Sequence, residues 1–309
     1  MYYFIVNPSS RSGKGAKVWQ QVEYELEKAA VEYRVFFTDH SGHATELARE
    51  ISVQEGRHTI VALGGDGTVN EVINGILDFS RITFAYIPTG SSNDFARSLG
   101  LPTDPAEAVR NILRPSYYTK LDLGQIEYED QARLFAVSCG VGFDAAVCHE
   151  AMVSRIKKIL NRLGLGKLTY VGIALHQILT LPAHPITMNI DHKLKTALPK
   201  AFFVAVMNCP YEGGGLKMCP KANPSDGHLD VCAVRHLSKL LLTMILPTAY
   251  FGKHVHFRRW VHIEKGSTIK ISSPHPLPLH VDGEPLGSQL NVTVRCLPQK
   301  LKLITGNIF

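Results

Sequence analysis

The chain has 309 residues, of which 45% are hydrophobic and 19% charged, and its formal net charge is +6. That length suits two domains, and the apolar share supplies sizeable cores, which excludes an intrinsically disordered chain. The modest positive charge favours anionic partners (nucleotide phosphates, acidic lipid headgroups or nucleic acid) without choosing among them.

Taken in chain order, the first part alternates strand and helix. Residues 2–6 read as a strand, and 14–30 carry a helical pattern through Val18, Val22, Leu26, Ala29 and Ala30. Residues 33–38 read as a strand and 43–53 as a helix with Ala44, Leu47, Ala48 and Ile51 on one face. Then come a strand at 59–63, a helix at 68–77, a strand at 83–87 and a short helix at 94–99. This alternation predicts a mostly parallel sheet with helices on both faces, whose ligand sites lie in loops after the strands.

Near Leu121 the pattern changes. Segments 121–128, 133–140, 186–191, 201–208, 229–234, 260–264, 268–272, 279–281 and 290–296 read as strands separated by turns. They predict a β-sandwich, interrupted by helical stretches over 150–181 and 238–254. The expected division is therefore 1–121 for an α/β nucleotide-binding domain and 122–309 for the sandwich, with a hinge near 119–124. Six scattered cysteines without a Cys-x-x-Cys pair suggest reduced core thiols and a cytoplasmic setting. The apolar start ends at Asn7-Pro8, too early for a secretion signal. Residues 237–251 contain Lys239 and Pro247 and fall short of the roughly 20 apolar residues of a membrane span. A soluble protein, or one that visits a membrane surface, is expected.

Gly64-Gly65-Asp66-Gly67-Thr68-Val69-Asn70 lies between a buried strand and a helix. Glycines let the backbone approach an anion, and the helix start behind them offers free N–H groups. Asp66 could position a divalent cation on those phosphates; the competing reading makes Asp66 or Thr68 a helix cap. Asn7-Pro8-Ser9-Ser10-Arg11-Ser12-Gly13-Lys14-Gly15 follows the first strand but lacks the P-loop pattern, and no G-x-G-x-x-G is present. Gly90-Ser91-Ser92-Asn93-Asp94 is a third such loop, with Asn93 a good cap. Three loops of this kind on one sheet would converge on a nucleotide.

Asp282-Gly283-Glu284-Pro285 is a hairpin-turn signal that could also present a carboxylate. Asn223-Pro224-Ser225-Asp226-Gly227-His228 is another turn, with Asp226 either a metal ligand or a turn former. Arg155, Lys157, Lys158, Arg162 and Lys167 interleave with Ile156, Ile159, Leu160, Leu163 and Leu165, a pattern of either a membrane-surface segment or a solvated helix face. Residues 254–260 form a second basic and aromatic patch. Nothing beyond mild basicity supports nucleic-acid binding.

Together these residues resemble the diacylglycerol kinase catalytic family, in its soluble bacterial lipid kinase branch. The carriers also include Gly42-His43-Ala44-Thr45-Glu46-Leu47-Ala48, Pro88-Thr89, Asp122-Leu123-Gly124, Gly142-Phe143-Asp144-Ala145 and Gly213-Gly214-Gly215. The resemblance implies an N-terminal NAD kinase/phosphofructokinase-like α/β domain, a β-sandwich, and an ATP cleft between them, with the chain end returning to the first domain. It implies that Gly64, Gly65, Asp66, Gly67, Thr68, Val69 and Asn70 bind the triphosphate. Asn7, Pro8, Ser9, Ser10, Arg11, Thr38 and Ser91 would line the rest of the nucleotide site. Asp66 would help hold the Mg²⁺ of ATP, and Glu284 would be the general base. A structural Mg²⁺ would rest on Asp226 and on the backbone carbonyls of Asn223 and His228, with Asp122 joining through water. Ser91-Ser92 departs from the family's usual Thr-Ala or Thr-Val but keeps the hydroxyl.

The expected activity is ATP- and Mg²⁺-dependent phosphorylation of a lipid hydroxyl, foremost diacylglycerol to phosphatidic acid, at the inner membrane face. Ile159, Leu163, Val171, Ile178 and Leu179 are candidates for an acyl pocket, with sandwich core as the competing reading. Another lipid (phosphatidylglycerol, a sphingoid base), an NAD-like metabolite, and a non-catalytic nucleotide or lipid sensor stay open, as does a homodimer through the sandwich.

Overall fold

The computed structural model describes residues 1–153 and 166–306. The chain forms two compact units: Met1–Leu123 with Gly213–Gly215 and Leu297–Phe309, and Gly124–Glu212 with Leu216–Cys296.

The first unit is built on five parallel strands. β1 (Tyr2–Val6), β2 (Tyr33–Phe37), β3 (His58–Gly64) and β4 (Ile82–Pro88) pair in the order β4-β3-β1-β2. The end of the last strand of the chain, β13 (Glu284–Thr305), adds beside β4 through Leu303 and Phe84. Continuous apolar strands such as Ile60–Leu63 are buried on both faces, as parallel strands require. Around them lie α1 (Ser10–Lys28), α2 (His43–Ser52), α3 (Asp66–Gly75), α4 (Asp94–Ser98) and α5 (Pro105–Leu113). One core gathers Phe4, Val6, Trp19, Val22, Leu26 and Val61 with Val109 and Ile112. α5 is absent from the sequence reading above, although its signals are local: Asp104 caps the helix by accepting from Glu107 N–H at 2.9 Å, and Pro105 fits its first turn.

The second unit is antiparallel. Its strands include β6 (Gln131–Phe135), β7 (Ser138–Gly142), β8 (His184–Ile190), β9 (Leu194–Met207), β10 (Leu229–Arg235), β11 (Val261–Gly266) and β12 (Thr268–Val281). β5 (Tyr117–Tyr128) runs from the first unit into the second, where it pairs with β6. β9 and β12 each pair with β8 at one end and β7 at the other, so these long strands turn from one sheet into its neighbour. The core between includes Val204, Val206, Ile269, Leu279, Val281 and Val294. Residues 268–272 and 279–281, read separately from sequence, are one strand with a register break between Ser272 and Leu277. Pro274, Pro276 and Pro278 explain the difference, because proline interrupts the ladder and the strand continues past it. Conversely, the expected strand 133–140 divides into β6 and β7. The N–H groups of Ala136, Val137 and Ser138 donate to the Asp282 carboxylate instead of to a neighbouring strand.

The expected helix over 150–181 begins earlier, as α6 (Phe143–Val153), and is followed by α7 (Gly166–Thr180). The basic segment with Arg155, Lys157, Lys158 and Arg162, and the pocket candidates Ile159 and Leu163, lie outside the described residues. The expected helix over 238–254 is α8 (Lys239–Ile245) followed by two 3₁₀ turns, Leu246–Phe251 and Lys253–His256. Pro247 lacks the N–H that would continue the α-helix. Among the described residues, no helix is long and apolar enough to cross a membrane.

Candidate active site

The loops after β1, β3 and β4 meet. Asn7 Nδ2 donates to Thr68 Oγ1 at 3.2 Å, and the Ser10 and Thr89 hydroxyls lie 2.7 Å apart. Thr89 and Gly90 N–H both donate to the Gly64 carbonyl, at 2.7 and 3.1 Å. Tyr86 Oη donates to the same carbonyl at 3.1 Å. Glycine is obligatory where the loops touch: a Cβ on Gly90 would sit 2.6 Å from the Gly65 Cα.

Two features fit this turn to a phosphate group. No side chain caps α3, whose N-cap is Gly65, so its first N–H groups stay available. In the loop after β1, Arg11 and Ser12 both hold positive φ, 46° and 59°, before Gly13 at 91°. Two successive non-glycine residues in the left-handed region cost of order 1–3 kcal/mol each, strain that clusters at ligand sites. The regular part of α1 starts only after this turn, as the sequence pattern from residue 14 requires.

Asp66 does not cap its own helix. Its carboxylate accepts from Asp94 N–H at 3.0 Å and Phe95 N–H at 3.1 Å, holding the start of α4. These two bonds take one lone-pair position on each carboxylate oxygen. Asp94, quoted only as part of a motif in the sequence reading, proves to belong here. It is buried, accepts from Gly214 N–H at 2.7 Å through Oδ2, and leaves its buried Oδ1 without a partner. Burial raises its pKa, opposed by the N–H groups of Gly214 and Gly215 and the charge of Arg97. The uncapped helix start, the Asp66 carboxylate and the orphaned Asp94 oxygen are a donor set that fits phosphates accompanied by a hard divalent cation.

The other expected nucleotide residues divide by burial. Val69 and Asn70 are buried, and Asn70 accepts from Asn74 Nδ2 at 2.9 Å, so they support the turn. Ser91 is exposed, and Thr38 follows β2 with its N–H on the Val6 carbonyl at 2.8 Å.

In the second unit, Glu284 stands on the β12–β13 hairpin and is ion-paired to Arg133. The hairpin is held from three sides. Asp282 accepts from Ala136, Val137 and Ser138 N–H at 3.0, 2.9 and 2.9 Å. Asp282 N–H returns a bond to the Ser138 carbonyl at 2.8 Å. Behind it, buried His280 meets Asp144 at 3.3 Å through Nε2, and a Cβ on Gly140 would strike both residues. Burial disfavours the charged imidazolium, but the Asp144 bond and charge outweigh it and raise the His280 pKa. Asp282 and Gly283 take positive φ, 47° and 83°, so the turn reading of Asp-Gly is also met.

The residues expected to bear on a structural metal are Asn223, Asp226, His228 and Asp122. The Asp226 carboxylate is paired with Lys265 Nζ and accepts from His228 N–H at 3.1 Å. The Asn223 side chain caps its own turn through Ser225 N–H at 3.1 Å. Asp122 is fully buried in the first unit, where it accepts from Gln299 N–H at 2.7 Å. Of the acyl-pocket candidates, Ile178 is core beside Phe203 and Leu242, and Leu179 is exposed. The side chain of Val171 lies outside the described residues.

The model of the diacylglycerol kinase catalytic domain matches residues 1–126, and that of the YegS C-terminal NAD kinase beta sandwich-like domain matches residues 137–305. "Putative lipid kinase YtlR" of Bacillus subtilis (strain 168) is 32% identical over 293 residues, 93% of this chain and 94% of that protein. The chain belongs to the diacylglycerol kinase family. Another relative, the diacylglycerol kinase of Staphylococcus saprophyticus, is 30% identical over 305 residues, 98% of this chain and 94% of that protein. A crystal structure of a putative diacylglycerol kinase from Bacillus anthracis str. Sterne superposes with a TM-score of 0.75 at 25% identity, covering 98% and 94% of the two chains. The expected order of an α/β domain and a β-sandwich is that of this family, and a lipid kinase is the enzyme class it carries.

Proposed function

We propose that the protein transfers the γ-phosphoryl group of ATP to the free hydroxyl of diacylglycerol, yielding phosphatidic acid. The observation that carries this reading is the glycine turn 64–68 on an uncapped helix start, in a chain of diacylglycerol kinase family. Asn7 to Arg11, Thr38, Gly64 to Asn70 and Ser91 are assigned to ATP, within a nucleotide domain of residues 1–121. Asp66 is assigned to the accompanying Mg²⁺, which supplies charge neutralisation on the phosphates. The lipid oxygen attacks the γ-phosphorus as the bond to the ADP oxygen breaks, and the hydroxyl proton passes to the Glu284 carboxylate. For that step Glu284 must share Arg133 with, or release it to, the incoming substrate. A structural Mg²⁺ on Asp226 and the Asn223 and His228 carbonyls, with Asp122 through water, is kept as a proposal; it requires Lys265 to give way.

The substrate lies in a bilayer, and the second unit offers a surface for one. Leu240 and Met244, one helical turn apart on α8, and Phe251 are 74%, 65% and 77% exposed, and Lys239, Lys253, Arg258 and Arg259 lie near them in the sequence. Exposed apolar side chains in a segment that also carries basic ones suit the interface of an anionic membrane. This supports peripheral association with the inner membrane face.

The test is transfer of labelled phosphate from ATP to lipids in mixed micelles with Mg²⁺, with diacylglycerol, phosphatidylglycerol, a sphingoid base and soluble alcohols as acceptors. Phosphatidic acid is expected from the wild type, and none from Glu284→Gln, which should still bind ATP. A Glu284→Gln enzyme with full turnover would remove the base assignment. A wild type that binds ATP but phosphorylates no acceptor would favour the sensor reading.

A further inference from the structure

The loop between β2 and α2 carries a cluster that the phosphoryl-transfer site does not use. Asp39 Oδ1 lies 2.7 Å from His43 Nδ1 and 3.4 Å from His40 Nε2. One ligand atom from each of the three residues lies within 4.8 Å of the others. The two rings stack, with centroids 4.8 Å apart and planes 18° from parallel.

The hydrogen bonds around the rings decide what these atoms can do. His40 Nδ1 lies 3.0 Å from the Ser41 carbonyl, which only accepts, so that nitrogen carries the proton. In the neutral ring, Nε2 is then bare and faces Asp39. His43 Nδ1 lies 2.7 Å from the Asp39 carboxylate, and its single lone pair accepts the Asp39 backbone N–H at 3.3 Å, a long bond that a cation would replace. One carboxylate oxygen and two ring nitrogens therefore converge, held together by a ring proton or by a cation that takes its place. An imidazole whose other nitrogen donates to a main-chain carbonyl is the usual support of a metal ligand.

The surroundings add negative charge. Glu46 lies in the first turn of α2, and the Glu71 carboxylate accepts the Ala44 N–H of that turn at 3.2 Å. The backbone is also prepared: Gly42, at φ 88°, turns the chain into the helix and puts His43 in its first position.

We propose that Asp39, His40 and His43 bind a borderline divalent transition cation, Zn²⁺ by preference, through one carboxylate oxygen and two imidazole nitrogens. Two nitrogens and one oxygen suit zinc or its neighbours better than Mg²⁺, which takes oxygen donors. Ligands about 2.0–2.1 Å from a tetrahedral zinc stand about 3.3 Å apart, and closing the present donors onto that spacing needs only side-chain adjustment. The fourth position faces solvent and stays open to water or to an anion. Because β1 to β4 are parallel, this loop lies on the same edge of the sheet as the loops of Asn7, Gly65 and Gly90. A cation here would fix the segment just after Thr38.

The experiment is calorimetric titration of ZnCl₂ into the chelator-stripped full chain at neutral pH, with Co²⁺ as a spectroscopic reporter. The comparison is the double variant His40→Ala/His43→Ala, whose fold is checked by circular dichroism. The wild type should bind one equivalent more than the variant, and its Co²⁺ form should show visible absorption of four-coordinate nitrogen and oxygen ligation that the variant lacks. Equal zinc stoichiometry and affinity in the two proteins would overturn the proposal, as would a wild type that binds no zinc. Asp39→Asn should weaken binding at least tenfold while leaving both rings in place. None of these readouts depends on lipid phosphorylation, so they stand whichever substrate the kinase accepts.

Discussion

Asp282→Asn isolates the hydrogen bonds that hold the hairpin of Glu284. Asparagine has nearly the same shape and tolerates the positive φ of 47° at this position, so backbone strain is not introduced. Oδ1 remains an acceptor for Val137 and Ser138 N–H, now a neutral one. The atom that replaces Oδ2 is an NH₂ group, which meets the Ala136 N–H donor at the former 3.0 Å contact. Hydrogen bonds to a charged acceptor are worth about 1.5–3 kcal/mol each and neutral ones about 0.5–1.5 kcal/mol. One bond is lost and two are weakened, so the unfolding free energy should fall by about 2–4 kcal/mol after partial rehydration. For a unit of this size that corresponds to a melting point lower by roughly 5–12 °C. Because the same bonds fix the turn that presents Glu284, kcat at a permissive temperature should fall by roughly ten- to a hundredfold, with the affinity for ATP unchanged. Urea unfolding followed by circular dichroism, and the micelle assay at low temperature, measure the two effects. A variant with wild-type stability would refute the assigned bonds. One that is destabilised but keeps its kcat would refute the link between the hairpin anchor and catalysis.

Three further predictions concern other parts of the molecule. Lys265 and Asp226 are partly exposed, so Asp226→Ala alone should cost no more than about 1 kcal/mol if their ion pair is all that is lost; a structural metal predicts instead that Mg²⁺ raises the melting point of the wild type and not of the variant. Leu240→Glu/Met244→Glu should reduce co-sedimentation with anionic vesicles by more than about tenfold, since each inserted side chain contributes about 1.5–3 kcal/mol; undiminished binding would place membrane contact elsewhere. The raised pKa of His280 stabilises the fold below the ordinary imidazole value of 6.5 and loses that contribution as pH rises through the folded value. His280→Gln should flatten this fall in stability above neutrality, whereas parallel pH profiles would show that the Asp144 contact carries no charge.

The readable parts of this chain were those whose cause is local. The turn at 64–68 announces itself because its glycines stand where backbones touch and its helix starts without a side-chain cap. The strands of the parallel sheet show as apolar runs because both of their faces are covered. What stayed hidden was fixed at long range. Arg133 and Glu284 are 151 residues apart, and nothing near either residue names the other. The break between β6 and β7 has no turn residue to mark it, because its cause, Asp282, lies about 145 residues further on. The capping reading of Asp66 points to its own helix, whereas its carboxylate holds the start of a different one across 28 residues.

The hairpin at Asp282 shows why the competing readings of a motif need not exclude each other. Read from sequence, Asp-Gly is a turn signal and Glu284 a candidate base, as though one explanation weakened the other. In the structure the positive φ of both turn residues makes the tight reversal, and that reversal points the Asp282 carboxylate back onto three N–H groups of the β6–β7 break. The strand that loses its ladder there is the one that supplies β7, whose Gly140 leaves the space occupied by Asp144 and His280. Turn, strand break and buried ion pair thus fix one another, and the carboxylate two residues beyond Asp282 inherits a rigid base from residues that do no chemistry themselves. A carboxylate meant only to solubilise a turn would need none of this support.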